Sequence, residues 1–222
     1  MAKRIDDQYG HADRELFISS GTSGGLVLAM LAMINPGDEV IFSTPYFAEY
    51  PAYIAHSQGK AVLANSRDDF SLDPDAIASK VTPRTKVILL NSPNNPTGRI
   101  YSDDAIQALS TVVKKQNLYV VLDAAYARMC YGDARNPKLL KYIERSFVVH
   151  SHSKDLGLAG ERLGYILVNP LMPEVNDVRA ALIMMNRSLG FVNAPALMQR
   201  VLPQIIDASV DIDTYRKRVE YL

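Results

Sequence analysis

The stretch "KVILLNSPNNPTG", residues 86–98, decides how the rest of the chain is read. Lys86 opens an unbroken apolar run, Val87 to Leu90, which ends abruptly in asparagines, prolines and a glycine. A strand with one wet face alternates apolar and polar residues, whereas one covered on both faces is apolar throughout. The run is too short for a buried helix and is closed by turn-forming residues, so it reads as an interior strand of a parallel sheet. Two more segments repeat the design. "LYVVL" (118–122) runs into "DAAY" (123–126), and "SFVVH" (146–150) runs into "SHSK" (151–154).

Further strand-like runs lie on either side: "LFIS" at 16, "EVIFS" at 39, "AVLA" at 61 and "LGYILV" at 163. Helical patterns separate them. "SDDAIQALSTVVKKQ" (102–116) starts with Ser102 as a helix N-cap and repeats Ile106, Leu109, Val112 and Val113 at helical spacing. Alternating strands and helices predict an α/β fold, a mainly parallel seven-stranded sheet flanked by helices, as one domain over residues 1–222.

Composition narrows the function classes. With 48% hydrophobic and 22% charged residues the chain can bury a full core. Twenty-four basic residues balance twenty-four acidic ones, so charge gives no reason to expect nucleic acid or an anionic membrane as partner. The one cysteine, Cys130, cannot form an internal disulfide and reads as a small hydrophobe. Met1 is followed by Lys3, Arg4, Asp6 and Asp7, without the apolar core of a signal peptide, and a cytoplasmic location is expected. The first ten residues read as the close of a helix on Gly10, and the last twelve, "DIDTYRKRVEYL", as a helix without a cap, so a piece of a longer protein is expected, with an ordered terminal helix as the alternative.

In an open parallel sheet, ligands collect beyond the carboxyl ends of the strands. There the chain delivers Asn95, Asp123, Tyr126, Ser151, Ser153 and Lys154. "ISSGTSGGLVLAM" (18–30) adds a glycine-bearing turn that opens a helix, suited to an anion or simply to a tight turn. It matches neither the P-loop, lacking its Lys-Ser or Lys-Thr pair, nor the dinucleotide fingerprint spacing. Asp123 would meet a cation or strong donors at the buried mouth of the sheet, or cap a following helix. Tyr126 reads as a packed aromatic or a phenol at the site. Lys154 suits Schiff-base chemistry once desolvated, whereas Lys114 and Lys115 lie on a helix surface. Arg162 could pair with a phosphate through two hydrogen bonds, or with Glu161 or Asp155. His150 and His152 flank Ser151 without a third metal ligand in view, so no metal site is expected. "NRS" at 186 matches a glycosylation acceptor that carries no meaning in a cytosolic chain.

In this order, the glycine turn, "NSPNNPTG", "DAAY" and "SHSKDLGLAGERLGY" resemble the large domain of the class I/II, fold type I, pyridoxal-phosphate-dependent aminotransferases, from residue 15 to about 200. The resemblance implies pyridoxal 5'-phosphate as cofactor. It implies that Lys154 forms the internal aldimine and moves the proton, that Asp123 pairs with the pyridine nitrogen, and that Asn95 and Tyr126 bond the ring oxygen. Phe47 in "PYFAEY" takes the stacking position, with Tyr46 its neighbour. Thr22, Ser23 and Gly24, with Ser151, Ser153 and Arg162, take the phosphate. Implied too are an amino acid and a 2-oxo acid as substrates, and a homodimer.

The chain departs from the family pattern in two ways. Ala124 and Ala125 stand where Glu-Pro is frequent. The family's N-terminal segment and C-terminal small domain, with its carboxylate-binding arginine, are not visible; Arg179, Arg187 and Arg200 lie in helical patterns and do not match it. "NRSLGFVNAPALMQR" (186–200) corresponds to a region near the partner subunit, although core packing of Leu189, Phe191 and Leu197 accounts for its apolar residues. Amino transfer is therefore the expected activity. A pyridoxal-phosphate-dependent amino-acid lyase, or a cofactor-binding domain without turnover, shares the same residues.

Overall fold

A computed structural model describes Tyr9 and residues 15–190 and 192–207. The expected terminal helices, apart from Tyr9, and the expected packing of Phe191 lie outside the described residues.

All seven apolar runs are strands: β1 (Glu15–Ser20), β2 (Glu39–Thr44), β3 (Lys60–Asn65), β4 (Thr85–Asn91), β5 (Tyr119–Asp123), β6 (Ser146–Ser151) and β7 (Leu163–Val168). They form one sheet in the order β1-β7-β6-β5-β4-β2-β3. Strands β2 to β6 pair in parallel, with Leu89 beside Val121 and Asn91 beside Asp123. β7 pairs antiparallel with both β6 and β1. Its reversal has a simple cause: residues 152–162 cannot build the helical crossover that a parallel return from β6 requires.

The helices are α1 (Gly21–Met33), α2 (Tyr50–His56), α3 (Pro74–Ala78), α4 (Asp103–Gln116), α5 (Leu139–Tyr142), α6 (His152–Asp155), α7 (Val175–Ser188) and α8 (Ala196–Ile205). α4 shows how local sequence sets the boundaries. The Ser102 hydroxyl accepts from the Ala105 amide at 3.2 Å, and Asn117 ends the helix in the left-handed conformation with φ 56°. Asp103 and Asp104 in the first turn, and Lys114 and Lys115 in the last, complement the helix dipole.

The consecutive apolar residues divide between the two faces. Ile88, Leu90, Val120, Leu122 and Val148 pack with Ile106, Leu109 and Val113 of α4 and Leu139 and Leu140 of α5. Val87, Leu89, Val121, Phe147 and Val149 pack on the opposite face with Leu26 and Met30 of α1, Ile54 of α2 and Leu182 of α7. α1 runs under the sheet and touches β1, β5, β6, β7 and α7. Its closeness depends on glycine: a Cβ at Gly164 would fall 2.7 Å from the Gly21 backbone and 2.7 Å from the His150 carbonyl. One expectation fails here. Leu189 packs against the α1 side of the core, but Leu197 is 72% exposed on α8, where Met198 and Leu202 turn inward instead.

Candidate active site

The carboxyl ends of β4, β5 and β6, the amino end of α1 and the turn before β7 meet around a cavity of about 200 Å³. Thr22, Ser23, Phe47, Asn95, Asp123, Tyr126, Ser151, Ser153, Lys154 and Arg162 line it, together with Leu26, Asn91, Ala125 and Ala159. Ten of the eleven residues expected from sequence thus converge. Gly24 does not: it faces a neighbouring hollow beside Val27 and Leu189. One helical step separates it from Ser23, enough to turn it off the cavity.

At one end of the cavity, hydrogen-bond donors dominate. α1 begins without an acidic residue in its first turn and without a side-chain cap, leaving its amide groups open. Gly21 has φ +70°, and a Cβ there would lie 2.6 Å from Nη2 of Arg162, so the glycine makes room for the guanidinium. Arg162 itself has φ 51° and sits one residue before β7 rather than within it. Its guanidinium donates to the carbonyls of Ala159 at 2.9 Å and Ser20 at 3.4 Å. Among the described residues it forms no ion pair with Glu161 or Asp155; Asp155 pairs with Arg128 at 3.0 Å. The Thr22 hydroxyl donates to Ser151 Oγ at 2.8 Å, joining α1 to the end of β6.

Asp123, at the end of β5, lines the same cavity and is 4% exposed. The Tyr50 hydroxyl donates to its Oδ2 at 2.7 Å, and the Ala125 amide to its Oδ1 at 3.0 Å. No helix starts here, so the carboxylate closes a tight turn rather than capping a helix. Burial pushes the Asp123 carboxyl above its ordinary range; the Tyr50 and Ala125 hydrogen bonds and the charge of His150 oppose that without cancelling it. Burial, followed by the neighbouring carboxylate, likewise drives the Tyr50 phenol well above its usual value.

Asn91 Oδ1 accepts from the Asn95 amide at 2.6 Å, and Asn91 Nδ2 donates to the Asp123 carbonyl at 3.1 Å. Asn95 Nδ2 reaches the Tyr126 hydroxyl at 3.5 Å. Phe47 packs edge-on against Tyr50, with centroids 5.6 Å apart, whereas Tyr46 turns to Phe42 and away from the cavity. Nζ of Lys154 stands 5.7 Å from the Tyr126 ring centroid. Lys154 is exposed, so the desolvation expected for its amine is not supplied by the described residues.

Sequence reasoning missed Tyr50 and Asn91. Tyr50 follows Phe47 by three residues, the spacing that places two side chains on one side of a turn, and that was the available signal. The resulting cavity has donors for an anion, an apolar and aromatic wall, an amine, and a carboxylate that forms no ion pair among the described residues. That set fits a flat heteroaromatic ring carrying a phosphate at one edge and a protonated nitrogen at the other.

Comparison with known proteins gives the same direction. The family model described as aminotransferase class I and II matches residues 2–222. The glutamate-pyruvate aminotransferase of Escherichia coli is 32% identical over 159 residues, 70% of this chain and 39% of that protein. A probable aspartate aminotransferase of Methanocaldococcus jannaschii is 28% identical over 171 residues, 76% of this chain and 45% of its own length. An aminotransferase structure from Eubacterium rectale superposes with a TM-score of 0.92 at 29% identity, covering 97% of this chain and 57% of that one. The chain therefore spans about half the length of the proteins it matches.

Proposed function

The chain belongs to the aminotransferase class I and II family, and from that premise we propose that it is the cofactor-binding domain of a pyridoxal-5'-phosphate-dependent aminotransferase, moving an amino group between an amino acid and a 2-oxo acid. The observation that carries the reading is Asp123: a buried carboxylate that lines the same cavity as Lys154 and, among the described residues, forms no ion pair. A group needing a cation, facing an amine and a phosphate-sized set of donors, calls for a ligand with all three complements.

When bound, the cofactor supplies an electron sink that makes the substrate's α-carbon acidic. The protein's part is positioning and proton handling. Asp123 would hold the cofactor's ring nitrogen protonated, Phe47 would pack against the ring, and Asn95 and Tyr126 would hydrogen-bond its oxygen. The amino end of α1, through Thr22 and Ser23, binds phosphate together with Ser151, Ser153 and Arg162. Lys154 Nζ supplies the anchoring amine and takes the proton from the substrate's α-carbon. The whole protein is proposed to work as a homodimer in the cytoplasm. Among the described residues, no helix is long and apolar enough to cross a membrane.

Incubation with pyridoxal 5'-phosphate, reduction with borohydride and peptide mass mapping test the assignment. A pyridoxyl label on Lys154, lost in Lys154→Ala, is the expected result; a label spread over surface lysines such as Lys114 and Lys115 overturns it. On the full-length protein, keto-acid release that requires a 2-oxo acid acceptor supports transfer. Release without acceptor makes the protein a lyase.

A further inference from the structure

Asn91 is the last residue of β4, is 4% exposed, and pairs across the sheet with Asp123, the last residue of β5. Its carboxamide is engaged at both ends, with Oδ1 accepting from the Asn95 amide at 2.6 Å and Nδ2 donating to the Asp123 carbonyl at 3.1 Å. These partners fix which end is oxygen and which is nitrogen, because a backbone amide can only donate and a carbonyl oxygen can only accept.

The bond to Asn95 spans 4 residues and alone would describe an ordinary turn at a strand end. The bond to Asp123 spans 32, so one buried side chain links connections that leave two different strands. Each connection is otherwise tied elsewhere. The Gly98 amide donates to the Asn94 carbonyl at 2.8 Å and the Asn94 amide to the Arg99 carbonyl at 2.8 Å, which closes the turn carrying Asn95 on itself. The Ala124 amide donates to the Val149 carbonyl at 2.8 Å, which ties the Asp123 turn to β6. Across β4 and β5, the Asp123 carbonyl receives the Ser92 amide at 3.2 Å beside the Asn91 carboxamide, a clasp of two donors on one oxygen. A planar carboxamide carries acceptor and donor side by side, which is what two neighbouring strand ends require of one residue.

We propose, resting on the cofactor reading above, that Asn91 is a positioning residue: through one carboxamide it fixes Asn95, which would bond the ring oxygen, relative to Asp123, which would meet the ring nitrogen. A ring seated against one of these residues is then in register for the other, and neither has to be reoriented when the ligand enters.

The test uses this chain with three probes: pyridoxal 5'-phosphate, its analogue with CH in place of the ring nitrogen, and its analogue without the ring hydroxyl. Equilibrium dialysis gives the affinities. Asn91→Leu has nearly the same shape and neither bond, and it is expected to hold pyridoxal 5'-phosphate about tenfold more weakly than the parent, the scale of a lost hydrogen bond. With either analogue the deficit is expected to shrink, since one of the two positioned contacts is then missing in parent and variant alike. A deficit of the same size for all three probes makes Asn91 a structural residue and overturns the proposal, as does an affinity equal to the parent's. Asn91→Ala, which leaves room for water at the Asn95 amide, replaces the leucine variant if that one does not fold; if neither folds, Asn91 is structural and the proposal falls. In the parent chain, scalar couplings are expected across both hydrogen bonds, from the Asn95 nitrogen to Asn91 Cγ and from Asn91 Nδ2 to the Asp123 carbonyl carbon, and their absence overturns the proposal without any variant. The two failures are distinct: a parent chain whose Lys154 takes no pyridoxyl label overturns the cofactor reading and the proposal together, whereas a labelled Lys154 with uniform deficits overturns the role of Asn91 alone.

Discussion

Asp123 and Asp155 are each 4% exposed, and the protein treats them in opposite ways. Burial raises both, as it must for any carboxylate leaving water. At Asp155 the hydrogen bonds and charges of His150 and His152 outweigh that cost and hold the carboxyl well below its usual range. Asp123 receives a phenol and one amide, and it stays above its usual range. The contrast separates structure from function. One carboxylate is paired within its own chain and ties elements together; the other lines a cavity and, among the described residues, forms no ion pair.

Removing Asp155 should therefore have the largest effect. Asp155→Ala strands Arg128 and two histidines without their shared acceptor, and a loss of about 3 kcal/mol is expected in urea unfolding. A cost near zero would erase the distinction drawn above. Next in size is the pH dependence. Asp155, with its lowered folded value, contributes stability that is present above the ordinary carboxylate range and disappears as pH falls through that folded value. Asp123 runs the other way: the cofactor-free protein loses stability as pH rises from the ordinary carboxylate range through the raised folded value. Melting temperatures from pH 3 to 7 should show a shallower acid limb for Asp155→Asn, and for Asp123→Asn the loss of the opposing decline.

Tyr50→Phe sharpens the comparison at its weaker partner. It removes one hydrogen bond to Asp123, with an expected cost of about 1 kcal/mol and a further rise in the carboxyl's titration midpoint. Smallest in stability is Asp123→Asn. At neutral pH the cofactor-free protein should melt within a few degrees of the parent and on the high side, while retention of pyridoxal 5'-phosphate falls. A variant destabilised as strongly as Asp155→Ala would make Asp123 a structural residue.

Much of this was legible in the sequence because burial on two faces leaves a plain mark. Val87 to Leu90 and Val120 to Leu122 are apolar on every position, so the interior strands and the polar residues behind them could be placed together. The direction of β7 was less visible. Its strand pattern is the same either way, and only the brevity of residues 152–162 distinguishes a reversal from a crossover. Tyr50 was hidden by chemistry, since a tyrosine among aromatic neighbours reads as packing until its hydroxyl has a partner. His150 and His152 were legible only as a possible metal pair, and Asp155 only as a possible partner of Arg162, because Arg128, the cation that pairs with Asp155, comes from a separate turn after β5. The sequence placed Lys154 beyond the end of β6, where it lines the cavity, but its exposure depends on three-dimensional surroundings that no local pattern records.

The reversal of β7 has a consequence for how the protein could change. Because β6 leaves and β7 re-enters at the same rim, one eleven-residue connection, 152–162, carries both the Lys154 amine and the Arg162 guanidinium. These two groups travel as a cassette. A single-residue insertion between them would slide one against the other by about 1.5–2 Å, the rise of a helical residue, while leaving every strand of the sheet in register. Length, more than composition, is what selection must guard in that segment.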